Sequence, residues 1–499
     1  CGGTGLLPAI RSIDIRGTRP MNRPTTAAAA AAPMTASAHI IRKRAKRITG
    51  ADARSLAVAL LTELENGVRT LDALLDEVGD AAELPDRRDR DLFNALVFGV
   101  LRWRGRLDYI LGRFSKMPAA KIEPAVINIL RVGLFQMIHL TRVPPSAAVN
   151  TAVNLAKSLS TPRAASFVNA VLRKAAAEHG HVIFPDFTRT PVKALAAETS
   201  FPEWLLERWL NRYGPDGARA LCESINAIPP LTLRANTLKT SRAELMAALD
   251  GQADAVEATA RAADGVRVRG LQTKLPELTA FQEGWFQVQD EAAQLVSVLL
   301  DPQPGEHVLD ACAGRGGKTG HIAQLMRNRG TIVAVDTSTG RLAQLREEMR
   351  RLGVTIAVAE EWDVAGGDAA RHAGRFDRIL LDAPCSGLGT LRRNPDIRWS
   401  SSPKKLRPLA GMQLRLLEGV ALSLKPKGVL VYAVCSPEPE ETAAVVKAFL
   451  AKNRSFRVDR QPRDLPEAVR PLAGPMGFLQ TYPHLQYMDG FFAARLKKL

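Results

Sequence analysis

The chain has 499 residues, enough for several hydrophobic cores, and its hydrophobic content of 46% is that of a globular protein. Charged or strongly polar side chains interrupt every stretch of about 18 residues, which excludes a membrane span. Lys and Arg outnumber Asp and Glu by 68 to 51, and the net charge of +17 favours a polyanionic partner, most simply a nucleic acid.

The number and spacing of the cysteines indicate in which redox compartment the protein works. The five cysteines are Cys1, Cys222, Cys312, Cys385 and Cys435, and they form neither a CxxC pair nor a metal-ligand spacing. Their odd number and the lack of a secretory hydrophobic region indicate reduced thiols. We therefore expect a cytoplasmic protein without a metal site, and nothing in the sequence demands more than a monomer.

Four regions follow one another along the chain. Residues 1–50, rich in Gly, Pro and Ala with a basic run, predict a disordered basic tail. Apolar residues at helical spacing over 51–190 predict an all-α bundle. Residues 191–289 begin helical and change to short alternating runs, which predicts linker helices and a small α/β subdomain. From 290 to 499 strands and helices alternate, which predicts a doubly wound, Rossmann-like α/β domain.

Within this last region, apolar runs define the strands. We predict strands at residues 307–310, 331–336, 355–359, 376–382, 429–433 and 491–496, and helices between them, for example at 341–352 and 409–424. In an open parallel sheet, ligands and chemistry collect outside the carboxyl ends of the strands. The residues that follow each predicted strand are therefore the candidates for function.

A glycine-rich turn follows the first of these strands. Such a turn between strand and helix lets a ligand approach the backbone and meet the helix N-terminus. It is neither a P-loop nor a strict dinucleotide fingerprint. The candidate cofactor-binding residues here are Cys312, Ala313, Gly314, Arg315, Gly316, Gly317 and Lys318.

Acidic residues follow the next two strands. Asp336 lies about 20 residues after the glycines, where a carboxylate accepts hydrogen bonds from both ribose hydroxyls of an adenosine. The alternative is that Asp336 only caps the next helix. Asp363, with Asp368 as a rival, is the candidate for the adenine amino group. No second glycine-rich crossover is present for a nicotinamide half, so a nucleoside cofactor without a diphosphate fits best, and S-adenosylmethionine is the obvious one.

Two thiols follow two further strands. Cys385 stands in Asp382-Ala383-Pro384-Cys385-Ser386-Gly387, and Cys435 stands in Tyr432-Ala433-Val434-Cys435-Ser436. Either cysteine alone is as well explained as a small buried hydrophobe. Two thiols at neighbouring strand ends, one of them beside a carboxylate, suggest nucleophilic chemistry on an electrophilic ring.

These motifs resemble the NOL/NOP/SUN family of RNA cytosine-C5 methyltransferases. The resemblance covers residue 55 to the end and rests on the segments 310–319, 382–387, 392–399 and 432–441, with 233–240 similar to the family's RNA-side subdomain and 287–291 similar to the start of its catalytic domain. The segments 98–103 and 167–173 resemble the NusB fold. Together they resemble the bacterial small-subunit ribosomal RNA methyltransferase B branch.

The resemblance implies site roles and partners. Cys435 would attack carbon 6 of cytosine, Cys385 would assist release of the product, and Asp382 would hold the cytosine and lie near the cofactor. Lys318 would make the site electropositive enough to help ionise Cys435. The implied cofactor is S-adenosyl-L-methionine and the implied substrate is 16S (small-subunit) ribosomal RNA. Four further residues are expected to line the RNA cleft: Arg392, Arg393, Arg398 and Trp399.

Alternatives stay open. Transfer RNA is the second candidate substrate. A catalytically inactive NusB-like RNA-binding assembly factor is a second class, and a DNA cytosine methyltransferase, in which Cys385 would attack, is a third. The chain departs from the family pattern at Gly314-Arg315, where Ala-Pro is usual, at Val434, where Thr is usual, and at Thr442, where Asn is common.

Overall fold

The computed structural model describes residues 52–67, 69–81, 84, 86–159, 162–366, 372–460 and 465–499. The predicted tail at residues 1–50 and the rival carboxylate Asp368 lie outside the described residues. The described chain forms two compact units, one reaching to Asn226 and including Arg398–Ser400, the other comprising Ala227–Ile397 and Ser401–Leu499. Among the helices described, none combines the length and apolarity that a membrane crossing requires.

The first unit is helical. Its helices are α1 (Ala53–Glu65), α2 (Leu71–Ala81), α3 (Arg87–Phe114), α4 (Pro124–His139), α5 (Pro145–Leu159), α6 (Pro162–Glu178), α7 (Pro191–Thr199) and α8 (Glu203–Asn226). Several begin where the sequence supplies a start signal: Asp52 and Asp86 cap α1 and α3, and proline opens α4 and α7. The predicted border at residues 190 and 191 falls just before α7, and the unit continues through α8.

One core joins α1, α3, α4, α5 and α6. Its tightest point lies between Gly99 on α3 and Phe135 on α4, because a Cβ atom at residue 99 would come within 2.1 Å of the Phe135 ring. A glycine at this position lets the two helices approach closely. The charged side chain at the centre of α4, Arg131, is buried and pairs with Asp108 at 2.7 Å and with Glu65.

The second unit begins with a small antiparallel sheet. Its four strands are β1 (Leu231–Ala235), β2 (Ala255–Ala258), β3 (Gly265–Arg269) and β4 (Phe286–Val288), in the order β2-β3-β1-β4. Helix α9 (Arg242–Leu249) packs on it and starts with a capping box between Ser241 and Glu244. A short helix α10 (Thr279–Gln282) precedes β4. The alternating sequence pattern predicted this subdomain.

A larger mixed sheet completes the second unit. Its strands are β5 (His307–Ala311), β6 (Thr331–Asp336), β7 (Ala357–Glu361), β8 (Phe376–Asp382), β9 (Leu424–Val434), β10 (Phe456–Val458), β11 (Phe478–Thr481) and β12 (Phe491–Lys498). The order is β10-β12-β9-β8-β5-β6-β7, and β11 pairs with β12. Strands β5 to β9 are parallel, and β12 is antiparallel to its neighbours. The predicted fold class is confirmed.

Helices cover both faces of this sheet. They are α11 (Glu291–Leu300), α12 (Gly317–Leu325), α13 (Thr339–Leu352), α15 (Pro403–Ala421) and α16 (Ala443–Lys452). Two further short helices are α14 (Ile397–Ser400) and α17 (Pro483–Gln486). Adjacent residues of β5 serve opposite cores, with Val308 packed toward α11 and Leu309 toward α15 and α16. Because the chain order reverses at β5, the residues after β5 and β8 meet at a topological switch point, where such sheets bind ligands.

Candidate active site

The glycine-rich turn after β5 is held in left-handed backbone conformations. The φ angles are +61° at Cys312, +57° at Gly314 and +84° at Gly316, which caps α12. The Gly314 N–H donates to Asp336 Oδ2 at 3.1 Å. A Cβ atom at Gly314 or Gly317 would meet nothing within 4 Å, so this side of the turn is open to a ligand. The Arg315 side chain is exposed.

Asp336 ends β6 beside this turn and is nearly buried, with 7% of its surface exposed. Besides Gly314, it accepts from the Ser338 N–H at 2.9 Å. Helix α13 is capped by Ser338, so Asp336 is not its capping residue. Asp363 lies in the turn after β7, exposed, and accepts from the Ala365 N–H at 3.0 Å. Both carboxylates are close enough to Cys312 to raise the pKa of its thiol.

An ion pair joins the turn after β5 to the end of β8. Lys318 Nζ lies 2.5 Å from Asp382 Oδ2 and 5.5 Å from the centre of the Phe491 ring. Burial lowers the pKa of Lys318, but its pairing with Asp382 raises that pKa by more, so the pKa lies above its ordinary value. Lys318 therefore carries a fixed positive charge at neutral pH.

The two predicted thiols meet. Cys385 Sγ and Cys435 Sγ are 3.2 Å apart and both residues are partly exposed. The hydrogen bond with Cys435, together with burial, raises the pKa of Cys385 well above its ordinary value. At the neighbouring turn, burial raises the pKa of Cys312 to about 12, with Asp382 and Asp336 adding to the effect. Cys312 thus contributes its backbone to the turn and no reactive thiolate.

Sequence reasoning missed the support beneath the thiols. Glu441 is buried and accepts hydrogen bonds from Ser386 and Ser436, the residues that follow the two cysteines. Gln413 on α15 also donates to Glu441, at 3.0 Å. A signal was present, since each cysteine is followed by serine and Glu441 lies six residues after Cys435. From the sequence, Glu441 was interpreted only as part of the family motif at 432–441.

Arg234 supports the glycine-rich turn from the small sheet. It is fully buried on β1 and donates to the Gly317 carbonyl at 2.9 Å, to Gln324 at 3.0 Å and to Gln287 at 2.7 Å. This residue belongs to the segment 233–240 that the sequence assigned to an RNA-side subdomain. These contacts indicate a structural role for Arg234, because they hold the first residue of α12 in place.

The prediction that four residues of the 392–399 segment line an RNA cleft is wrong for Arg392 and Arg398, which are buried. Arg392 and Arg393 both pair with Asp290 and Asp489, at distances from 2.5 to 3.2 Å. Arg398 is fully buried in the first unit, where it donates to the carbonyls of Arg102 and Ser200. The indole of the fourth residue, Trp399, donates to the Leu101 carbonyl at 2.7 Å. Buried guanidinium groups that are paired in this way hold the fold and are withdrawn from phosphate.

An adenosine-type cofactor fits these residues. The open turn after β5 lets a ligand approach the backbone closely at Gly314 and Gly317. Asp336 ends the neighbouring strand β6, and Asp363 follows β7, the strand beyond it, at the same edge of the sheet. This is the architecture of the S-adenosylmethionine-dependent methyltransferases, and the residues present fit S-adenosyl-L-methionine, the cofactor that the sequence predicts.

Comparison with known proteins gives the family. Residues 297–497 match the model of 16S rRNA methyltransferase RsmB/F, residues 51–177 match the NusB family, and residues 201–272 match the RsmF/B-like ferredoxin-like domain. Over 447 residues the chain is 39% identical to "Probable ribosomal RNA small subunit methyltransferase B" of Bacillus subtilis, covering 89% of this chain and 98% of that protein. It is 36% identical to "Ribosomal RNA small subunit methyltransferase B" of Pseudomonas putida, over 90% of this chain and 98% of that one.

Solved structures with the same fold were also found. The crystal structure of PH0851 superposes with a TM-score of 0.74 at 25% identity, covering 89% of this chain and 99% of that one. A methyltransferase homolog protein from Pyrococcus horikoshii superposes with a TM-score of 0.52 at 29% identity, over 61% of this chain and 97% of that one. The chain belongs to the ribosomal RNA small subunit methyltransferase B family, as its motifs predicted.

Proposed function

We propose that the protein transfers a methyl group to carbon 5 of a cytosine in small-subunit ribosomal RNA through a covalent adduct with Cys435. The observation that carries this proposal is the pair of sulfur atoms 3.2 Å apart beside the Lys318–Asp382 ion pair. A site that only binds RNA has no need of two thiols in contact. Chemistry on an electrophilic pyrimidine ring does need a nucleophilic sulfur.

Carbon 5 of cytosine is too weak a nucleophile to take a methyl group unaided. The Cys435 thiolate adds to carbon 6, and the electrons of the 5,6 double bond become available at carbon 5. S-adenosylmethionine supplies the electrophilic methyl group that carbon 5 then accepts. Loss of the proton from carbon 5 restores the double bond and expels the Cys435 thiolate, so that the enzyme leaves in its starting form.

Asp382 and Lys318 prepare the ring and the nucleophile. Asp382, at the end of β8, is the proposed partner of cytosine N3 and the exocyclic amino group, because its carboxyl group accepts from the amino group and shares a proton with N3, which neutralises the negative charge that the ring gains on attack. Lys318 supplies a positive charge close to Cys435, and a cation beside a reactive cysteine is the proposed means of its activation. Cys385 is the proposed partner in the release of the product.

Asp336, Asp363 and the glycine-rich turn are the proposed cofactor-binding residues. Asp336 would accept from the ribose hydroxyls and Asp363 from the adenine amino group, while the turn would lie against the rest of the molecule. This turn is formed by the backbone of Cys312, Ala313, Gly314, Arg315, Gly316 and Gly317.

Ribosomal RNA is proposed as the substrate because the relatives are named ribosomal RNA small subunit methyltransferase B and the first unit matches the NusB family. The net charge of +17 supports a polyanionic substrate. Transfer RNA remains the competing substrate, and binding without catalysis remains the competing class of function.

The experiment uses the full chain, radiolabelled S-adenosylmethionine and unmodified transcripts of small-subunit ribosomal RNA. After digestion to nucleosides, the label is expected in 5-methylcytidine. Transfer RNA and single-stranded DNA serve as competing substrates, and Asp382→Asn serves as the inactive control. Label in another nucleoside, or transfer to transfer RNA alone, would contradict the proposal. Binding of ribosomal RNA without any transfer would favour the assembly-factor alternative.

A further inference from the structure

Glu441 is a buried carboxylate that the proposed chemistry does not use. It ends a short 3-10 helix, Pro439–Glu441, and has no exposed surface. Among the residues that the structure describes, no lysine or arginine forms an ion pair with it. A buried charge is costly unless hydrogen bonds compensate it, so its four donors need an explanation.

Three of these donors come from the two thiol-bearing loops, and the fourth is Gln413 on α15. Glu441 Oε1 accepts from the Ser386 N–H at 2.8 Å and from Gln413 Nε2 at 3.0 Å. Glu441 Oε2 accepts from Ser386 Oγ at 2.5 Å and from Ser436 Oγ at 2.6 Å. Since Ser386 follows Cys385 and Ser436 follows Cys435, one carboxylate ties together the two loops that carry the sulfur atoms.

The surrounding contacts make this tie rigid. Tyr432 donates its hydroxyl to the Glu441 carbonyl at 2.6 Å, and Gln413 also donates to the Pro384 carbonyl at 3.0 Å. The Gly389 N–H donates to the Cys435 carbonyl at 2.9 Å. The relative position of the two thiols is therefore set from beneath by Glu441 and from the side by Gly389.

The charges around the two thiols are unequal. The Glu441 carboxylate raises the pKa of Cys385, after the larger effects of the hydrogen bond with Cys435 and of burial. The cation of Lys318 lies close enough to Cys435 to interact with it. A carboxylate near Cys385 favours the protonated thiol there, whereas the group beside Cys435 is a cation.

We propose that Glu441 is a positioning residue that gives the two thiols separate roles, holding Cys385 as a protonated hydrogen-bond donor toward the sulfur of Cys435. This inference rests on the proposed function of the two cysteines. When Cys435 leaves carbon 6, its sulfur departs with the bonding electron pair as a thiolate. The Cys385 S–H donates a hydrogen bond to that departing sulfur and keeps its own proton, so release gains a stabilised leaving group.

The first test measures the charge effect without substrate. In a Cys435→Ser background, the rate of Cys385 alkylation by iodoacetamide is followed against pH by peptide mass spectrometry. Glu441→Gln keeps an acceptor for the Ser386 N–H while removing the charge, and the alkylation midpoint is expected to fall by about one pH unit. Glu440→Gln is the matched control, with the same charge change one residue away and an unchanged midpoint. An unchanged midpoint in Glu441→Gln would overturn the proposal.

The second test measures release. With unmodified small-subunit RNA, Glu441→Ala and Glu441→Gln are expected to accumulate covalent protein–RNA adduct because release slows by about tenfold or more, while adduct formation slows less. Thermal unfolding of each variant separates this effect from loss of the fold, and Glu441→Gln keeps the test decisive if Glu441→Ala is unstable. Wild-type release rates in both variants would overturn the proposal. Absence of methyl transfer by wild type together with absence of adduct in Cys385→Ala would instead overturn the proposed function, and the alkylation test still decides the role of Glu441.

Discussion

The sulfur atoms of Cys385 and Cys435 lie 3.2 Å apart although the residues are fifty positions apart in the chain. Parallel pairing of β8 with β9 brings them together, since Asp382 stands opposite Ala433 and each thiol follows within three residues. No local sequence feature fixes this register. The relationship between the two cysteines is a property of the sheet.

This proximity predicts a disulfide under mild oxidation. Diamide, which accepts two electrons and two protons, is expected to join Cys385 to Cys435, because their separation needs to shorten by only about 1 Å to reach a disulfide bond. Methyl transfer should be lost and then recovered with dithiothreitol. Peptide mapping without reduction checks the pairing, and the buried Cys222 serves as the unreactive reference. A disulfide that instead involves Cys312 would contradict the observed geometry.

Lys318 is expected to control the reactivity of Cys435. In a Cys385→Ser background, Lys318→Gln should slow alkylation of Cys435 at pH 7 by about tenfold, because it removes a cation near the thiolate and leaves Asp382 unpaired. Arg315→Gln removes a charge from the same turn, but on an exposed side chain, and should change the rate little. Equal rates in wild type and Lys318→Gln would remove Lys318 from the activation of the nucleophile.

The burial of Asp310 predicts that the stability of the folded protein depends on pH. It is buried at the end of β5, accepts from Thr319 Oγ1 at 2.6 Å, and burial raises its pKa to about 7. Between its ordinary pKa of 3.8 and about 7, the folded state binds one proton more than the unfolded state. The stability that this group contributes is therefore fully present below about pH 3.8, falls as the pH rises from there, and is lost above about pH 7.

Asp310→Asn should abolish this dependence. The variant and the wild type are expected to melt at similar temperatures at about pH 4, with the variant melting several degrees higher at pH 8. Thermal unfolding across this range measures the difference. Parallel curves for the two proteins would show that Asp310 is ionised in the folded protein throughout.

Arg393 is expected to hold the fold and to contribute little to RNA affinity. Among the residues that the structure describes, Arg393→Ala leaves Arg392 as the one ion-pair partner of Asp290 and Asp489, and removing one member of a buried ion pair costs about 3–5 kcal/mol of unfolding free energy. The exposed Arg407→Ala is the control and should change stability by less than about 0.5 kcal/mol. Denaturant unfolding measures both. A stable Arg393→Ala variant with weakened RNA binding would restore the cleft interpretation.

The central strands were predictable from sequence because buried parallel strands are short apolar runs. Strands β6 and β8 have the predicted bounds, and β7 begins two residues later than predicted. Strands β10 and β11 were missed, since both are short and lie near the edge of the sheet. The helix predicted at 409–424 in fact begins at Pro403, because Pro408 reads as a break yet lies inside the helix, and it ends at Ala421.

The candidate site was predictable in part for the same reason. The thiols and Asp336 follow apolar strands, so topology alone brings them to one edge. The partners of Arg392 and Arg393 were not predictable, since Asp489 lies 96 residues beyond Arg393 and basic residues in a loop resemble an RNA surface. Glu441 was hidden for a different reason, because its burial depends on the fit of two loops that are distant in sequence.

The most direct measurement of the central claim is covalent trapping with the two cysteine variants. Wild type, Cys385→Ala and Cys435→Ala are each incubated with S-adenosylmethionine and unmodified small-subunit RNA, then separated under denaturing conditions. We predict that Cys385→Ala accumulates a protein–RNA adduct and that Cys435→Ala forms none and transfers no methyl group. An adduct that persists in Cys435→Ala and vanishes in Cys385→Ala would contradict the account and make Cys385 the nucleophile.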